Sequence, residues 1–201
     1  MHINSFWFLL LLPLSLLGQN IDSLQDPVEI GVYPGLAYTP ETDLSLGIFA
    51  LIVLKNKSDN YSYTPNLISP KMVYTLNNQS IFTLDGSFFT KKNSRIDTKI
   101  KYSNYPDYFF GLGNTNDPNI KELFKRQFIS TKGFVMKEIT SNLYAGALFD
   151  FDYSILQDLI PNGLISQDNP SGSKGGYAVG AGIGLTFDDR DQILYPRKGK
   201  F

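Results

Sequence analysis

The chain has 201 residues, a formal net charge of −1 at pH 7 and no cysteine. This length allows one domain or two small ones, the near-zero charge gives no reason to expect nucleic-acid binding, and the lack of thiols excludes disulfides and thiolate metal sites. The single histidine, His2, lies at the extreme N-terminus. This histidine lies in the predicted leader, so we expect no histidine-based catalysis and no His-ligated metal centre in the mature chain. We predict that the chain is not an enzyme and has no catalytic residue, cofactor or metal.

The N-terminus carries an apolar run over residues 6–17, interrupted by one polar residue, Ser15. A run of this length is too short to cross a bilayer as a helix, which needs about 20 residues. It fits the hydrophobic part of a secretory leader. We expect residues 1–18 to be a signal peptide and residues 19–30 to be a short polar linker.

Beyond residue 30 the apolar residues recur with a period of two, and no convincing 3.6-residue pattern is present. The pattern predicts about eight strands and no helix. Several of these strands reach ten residues or more, against roughly five or six in a soluble sheet, and about 9–11 residues suit a tilted membrane strand. The alternation breaks near residues 130–132. The predicted strands are residues 32–39, 44–55, 67–77, 81–90, 95–103, 124–139, 142–153 and 176–187.

The connections between these strands differ in length. Asn77-Asn78 and Lys92-Asn93 carry the residues of tight hairpin turns. Residues 104–121 and 157–175 are long and polar. Short turns alternating with long loops are typical of outer-membrane barrels, although the long 56–64 segment and the short turn at residues 77–78 depart from strict alternation.

One predicted strand separates charged from apolar side chains. Arg95, Lys99 and Lys101 share a face, and residues 96, 100 and 102 provide an apolar opposite face. A Lys or Arg on the lipid face costs about 2–4 kcal/mol at the bilayer midplane. In a membrane barrel the charged face would line a wet interior, whereas in a soluble sandwich it would meet bulk water.

Three stretches together resemble one family. Residues 187–191 (FDDRD) followed by residues 195–199 (YPRKG) are similar to the aromatic-D-x-R-D and Y-P-x-x-G stretch of the BamA/TamA family, also called the bacterial surface antigen family. Residues 38–47 (YTPETDLSLG) resemble the opening of such barrels in Bacteroidetes-type members. Residues 102–114 (YSNYPDYFFGLGN) resemble a Y-P-D run of the same group.

The resemblance implies an all-β, antiparallel transmembrane β-barrel of 16 strands in the outer membrane of a Gram-negative cell. Residues 31–201 would supply about eight of those strands, as a barrel truncated at its C-terminus. Such barrels insert or translocate other proteins through a weakly paired seam between their first and last strands. The implied partners are outer-membrane lipid and client outer-membrane proteins, and no periplasmic helper (POTRA) domain fits between residues 18 and 31.

The resemblance also singles out two groups of residues. The family-motif turn comprises Asp188, Arg190, Asp191, Pro196 and Gly199, where Pro196 fixes φ and Gly199 permits a conformation that other residues resist. The possible seam strand carries Tyr33, Tyr38 and Pro40.

Alternative interpretations remain open at this point. The whole chain could be a passive eight-stranded barrel with a structural or adhesive role, or a secreted soluble β-sandwich that binds a ligand. The aspartates of the family-motif turn suit Ca²⁺, but a solvated turn is favoured. The aromatic residues 105–110 suit either ligand stacking or an interfacial girdle, of which the girdle is favoured. Asp85, Asp150 and Asp152 fit a polar lumen better than acid–base catalysis.

Overall fold

A computed structural model describes residues 27–39, 42–55, 64–90, 93–113, 120–190 and 196–200. The predicted signal peptide, most of the predicted linker and the motif residues Pro40 and Asp191 lie outside these residues. The elements in chain order are β1 (Val28–Thr39), β2 (Asp43–Leu54), β3 (Asn66–Thr75), β4 (Ser80–Phe89), β5 (Ser94–Phe109), β6 (Glu122–Thr140), β7 (Leu143–Gln157), α1 (Leu164–Asp168) and β8 (Gly176–Phe187).

The strands form one antiparallel sheet in which each strand pairs with its neighbours in the sequence, in the order β1 to β8. This confirms the all-β, antiparallel prediction and the count of eight strands. Within the described residues, β1 pairs only with β2 and β8 only with β7. The sheet therefore keeps two free edges and is not closed into a barrel.

Several strand limits differ from the predicted ones. β1 begins at Val28, inside the predicted linker, because Val28–Ile30 pair with β2. β5 continues to Phe109 and pairs with the start of β6, so the long polar connection shrinks to residues 110–121. The break in the sequence alternation near residues 130–132 does not interrupt β6. The one irregularity in the pairing of β6 with β7 lies between Glu138 and Thr140.

A short helix was missed by the sequence pattern. α1 has five residues and lies inside the predicted 157–175 loop. A segment of this length is too short to show a helical period.

The tight turns depend on asparagines in the left-handed region. Asn78 has φ 58° and Asn93 has φ 54°, and the N–H groups of these residues donate to the carbonyls of Thr75 and Thr90 at 3.0 and 3.2 Å. Asparagine tolerates this conformation better than most residues. The predicted turns at residues 77–78 and 92–93 are thus confirmed where the structure describes them.

The sheet has an apolar face and a polar face, defined by the alternation of side chains along the strands and by the cross-strand register. On the apolar face of the eight strands, the only charged residues are Lys125 and Lys137, both on β6. The large side chains of this face are widely exposed, up to 94% for Ile183. A single sheet layer cannot bury its own apolar face, so this surface needs an apolar neighbour.

An internal proline is accommodated by a side-chain hydrogen bond. The pairing of β2 with β3 is interrupted opposite Pro70, which has no N–H to give to the β2 carbonyl beside it. The hydroxyl of Ser69 donates instead to the carbonyl of Ala50 at 3.0 Å. The sheet therefore keeps this backbone acceptor satisfied.

Candidate functional site

The polar face carries ion pairs that bridge adjacent strands. Asp85 on β4 accepts from Lys71 on β3 at 2.8 Å and contacts Lys99 on β5 at 3.3 Å. Lys132 on β6 lies 2.9 Å from Asp150 and 3.9 Å from Asp152, both on β7. The predicted carboxylate set is thus divided between two clusters, and each carboxylate lies beside a lysine.

A cavity of about 540 Å³ lies on the polar face. Its lining crosses β4 to β8 and includes Asp85, Lys99, Lys132, Asp150 and Gly182. The polar face is therefore concave between β4 and β8.

Asp188, immediately after β8, is the centre of an ionic cluster at one end of the polar face. Arg190 donates to both of its carboxylate oxygens, at 2.8 and 2.7 Å, and Arg95 of β5 donates to it at 3.2 Å. Arg95 also pairs with Asp97. The cluster ties the end of β8 to a strand three positions away in the sheet.

The surroundings of Asp188 favour its ionised form. The Asp188 side chain is only 9% exposed. The hydrogen bonds from Arg190, ahead of the opposing effect of burial, hold the pKa of Asp188 below its usual range. The guanidinium of Arg95 lies 5.5 Å from the centre of the Phe89 ring and 5.8 Å from that of Phe134, which shields it from bulk water.

The second half of the family-motif turn returns the chain to the first. The N–H of Asp189 donates to the carbonyl of Lys200 at 3.1 Å, and the N–H of Lys200 donates to the carboxylate of Asp189. Gly199 has φ 104°, and a Cβ there would lie 2.4 Å from the Asp189 carbonyl oxygen. A side chain at residue 199 would therefore be strained both by the backbone conformation and by this close approach. Pro196 opens this return segment.

The candidate seam strand, β1, is an edge of the sheet. Tyr33 lies on its polar face and Tyr38 on its apolar face, and both side chains are exposed. Gly35 is covered by an aromatic ring from β2, because a Cβ on it would lie 2.6 Å from the Phe49 ring. Rings that lie over glycines in this way help fix strand register.

A buried glutamate that the sequence analysis missed holds the 158–175 segment against the sheet. Glu122, at the start of β6, is 2% exposed. Its two carboxylate oxygens accept the backbone N–H groups of Ile160 at 3.1 Å and Ile165 at 2.9 Å. Gly163 lies so close that a Cβ there would approach the carboxylate to 2.5 Å. No sequence pattern marks such a residue, because its partners are backbone groups about 40 positions away.

The same segment contacts the neighbouring loop. The carboxylate of Asp168, at the end of α1, accepts the N–H of Leu112 at 3.0 Å. The two long connections are thus joined at one end of the sheet.

Tyrosines on the apolar face gather at this same end. Each apolar-face tyrosine of the described strands lies in the half of its strand nearest the 158–175 segment. These are Tyr38, Tyr74, Tyr102, Tyr108, Tyr153 and Tyr177.

The aromatic residues that close β5 are divided between the faces. Tyr108 lies on the apolar face with Lys121 4.1 Å above its ring, and its ring centre is 6.4 Å from that of Phe110. Tyr105 and Phe109 lie on the polar face. A common stacking platform of all four rings is therefore not formed.

Comparisons with models of protein families, with curated proteins and with solved structures find no match to this chain. In the part of the chain that the structure describes, no helix has the length and apolar character needed to cross a membrane.

Proposed function

We propose that this sheet is part of the wall of an outer-membrane β-barrel of the BamA/TamA type, which assists the insertion or translocation of other outer-membrane proteins. The proposal joins the sequence resemblance to one structural observation. That observation is the distribution of charge between the two faces of the sheet.

The spacing of the two apolar-face lysines fits a bilayer. Lys125 and Lys137 are twelve residues apart on β6, and no charged residue lies between them on that face. This corresponds to about 40 Å along the strand at ~3.3 Å per residue, or about 30 Å along the membrane normal at a tilt of ~40°. The apolar band of an outer-membrane barrel is about 25 Å tall, so both ammonium groups would reach its polar borders.

The tyrosines support the same orientation. A ring of aromatic residues marks the membrane–water interface of such barrels, since the ring sits among acyl chains and the hydroxyl reaches water. The apolar-face tyrosines lie toward one end of the sheet, where the long connections meet. We propose that this end faces the cell exterior.

The alternatives account for less of the structure. A soluble sandwich needs a second layer over the apolar face, and the described residues form one sheet. A passive eight-stranded barrel needs β1 paired with β8, and the described residues show no such pairing.

The free edge of β1 supplies the mechanism that we propose. An unpaired edge presents a row of backbone donors and acceptors on which an incoming strand can form. The side chains that β1 places on the apolar face would keep such a strand at the lipid boundary. In this role the chain performs no covalent chemistry and needs no cofactor.

The proposed role is tested by removing backbone N–H donors from the free edge of β1. A control must separate this loss from the accompanying loss of side-chain volume. We expect Val32→Pro/Leu36→Pro to abolish insertion of an unfolded outer-membrane barrel protein into vesicles that contain this protein. Val32→Ala/Leu36→Ala is the matched control, because it shortens the same side chains and keeps both N–H groups. Equal insertion by the two double variants would refute the role.

A further inference from the structure

The two free edges of the sheet differ in the completeness of their donor rows. Successive residues of a strand direct their N–H and C=O groups to opposite sides. The N–H of Lys55 donates to the carbonyl of Pro27 at 2.8 Å. These two residues lie directly opposite each other, one position beyond the pair formed by Val28 and Leu54. The odd-numbered residues of β1 therefore face β2, and the even-numbered ones face the free edge.

Pro34 is one of the residues that face the free edge of β1. Because proline has no N–H, the donor row is broken into two short runs. The remaining donors on this edge are Val28, Ile30, Val32, Leu36 and Tyr38. The donors of Val32 and Leu36 are four residues, about 13 Å, apart.

The edge of β8 has no such interruption. The N–H of Asp188 donates to the carbonyl of Asn142 at 2.8 Å, so the even-numbered residues face β7 and the odd-numbered ones face the free edge. None of the outward-facing residues is a proline. They are Tyr177, Val179, Ala181, Ile183, Leu185 and Phe187.

We propose that Pro34 makes the β1 edge an exchangeable docking site for an extended segment of another polypeptide, with apolar side chains at every second position. This inference rests on the proposed function and adds the residue that limits how long the guest strand stays. The carbonyl of a guest residue opposite Pro34 receives no hydrogen bond from β1, which weakens the pairing by about the contribution of one hydrogen bond. The complete row of β8 suits a strand that remains in place.

The chemistry of the guest follows from the side chains around the edge. The even-numbered residues of β1, whose backbone groups face the free edge, place apolar side chains on the apolar face. Its polar-face positions are small or uncharged beyond Glu29, with glycine at residues 31 and 35. A guest strand must therefore alternate apolar residues on the lipid side with residues of any size on the other.

The test measures release of a defined strand from β1. The probe is a synthetic peptide with the β8 sequence GYAVGAGIGLTF, which alternates as the inference requires and carries a quencher. Because the chain has no cysteine, Val28→Cys gives a single site for a fluorophore at the start of β1. The complex of peptide and protein in lipid vesicles is diluted. Release of the peptide is then followed as the recovery of fluorescence when the quencher leaves.

We expect Pro34→Ala to slow peptide release about ten-fold, the effect of one added hydrogen bond. Pro34→Val should do the same, because it also restores the N–H. Pro106→Ala is the matched control, since Pro106 lies on β5 beyond the last residue paired with β4; it should leave release unchanged.

Equal release rates from the unmodified chain and both Pro34 variants would overturn the inference, as would the absence of peptide binding to all of them. The outcome is separable from that of the proposed function. Peptide release could depend on Pro34 while the Val32→Pro/Leu36→Pro variant inserts the client protein as well as its alanine control does. That pair of results would refute the insertion role and retain the docking site.

Discussion

Thr131 lies at the centre of the uncharged band on the apolar face, six residues from Lys125 and six from Lys137. Each lysine is thus about 20 Å away along the strand. If acyl chains cover this face, Thr131→Lys places an ammonium group near the bilayer midplane. We expect it to lower the free energy of unfolding by about 2–4 kcal/mol.

Gln127→Lys is the matched substitution near the border of the band. Both residues are half-buried, both lie on the apolar face of β6, and Gln127 is two residues from Lys125. Its expected cost is about 0–1 kcal/mol, because a lysine there reaches the interface.

The two variants are compared by urea titration of the folded protein in phosphatidylcholine vesicles, followed by circular dichroism. A free energy of unfolding that is unchanged within about 0.5 kcal/mol in Thr131→Lys would refute the reasoning, because that is the usual effect of a substitution on a water-exposed surface.

Three further substitutions test the contacts that shape the site. Glu122→Gln should leave one of the two backbone N–H groups that donate to this carboxylate without an acceptor, at a cost of about 1–3 kcal/mol, and should speed amide hydrogen exchange at Ile160 or Ile165; unchanged exchange at both residues would contradict the contact. Ser69→Ala should lower the free energy of unfolding by a similar ~1–3 kcal/mol, since it leaves the carbonyl of Ala50 unsatisfied beside Pro70. The depressed pKa of Asp188 means that its contribution to stability is complete above the ordinary aspartate pKa of about 3.9 and is lost as pH falls through its lower folded value; Asp188→Asn should remove this acid dependence, and an unaltered acid titration would count against it.

The strand pattern could be predicted well because alternation is a local property. Residues 176–187 alternate apolar and small residues without a break, and β8 occupies these same residues. The separation of Arg95 from Ile96 onto opposite faces follows from the same alternation. The limits at Val28 and Phe109 were missed because they depend on pairing with β2 and β6 and not on the local pattern.

The contacts of the site could not be predicted, because they depend on register between strands. The Arg95–Asp188 pair joins residues 93 positions apart. The Glu122 contacts require the 158–175 segment to fold back over the sheet. Gly199, by contrast, was singled out from the local sequence, and it has the positive φ that glycine adopts most readily.

The central claim is that one face of the sheet contacts acyl chains and the other contacts water. The direct measurement is a nitroxide scan of β6, one cysteine at a time over residues 128–135, in lipid vesicles, with collision rates to oxygen and to a water-soluble nickel complex read by electron paramagnetic resonance. The account predicts a period of two, with high oxygen and low nickel collision at the odd-numbered positions and the reverse at exposed even-numbered ones such as Lys132. Nickel collisions that are equally frequent on both faces would contradict it.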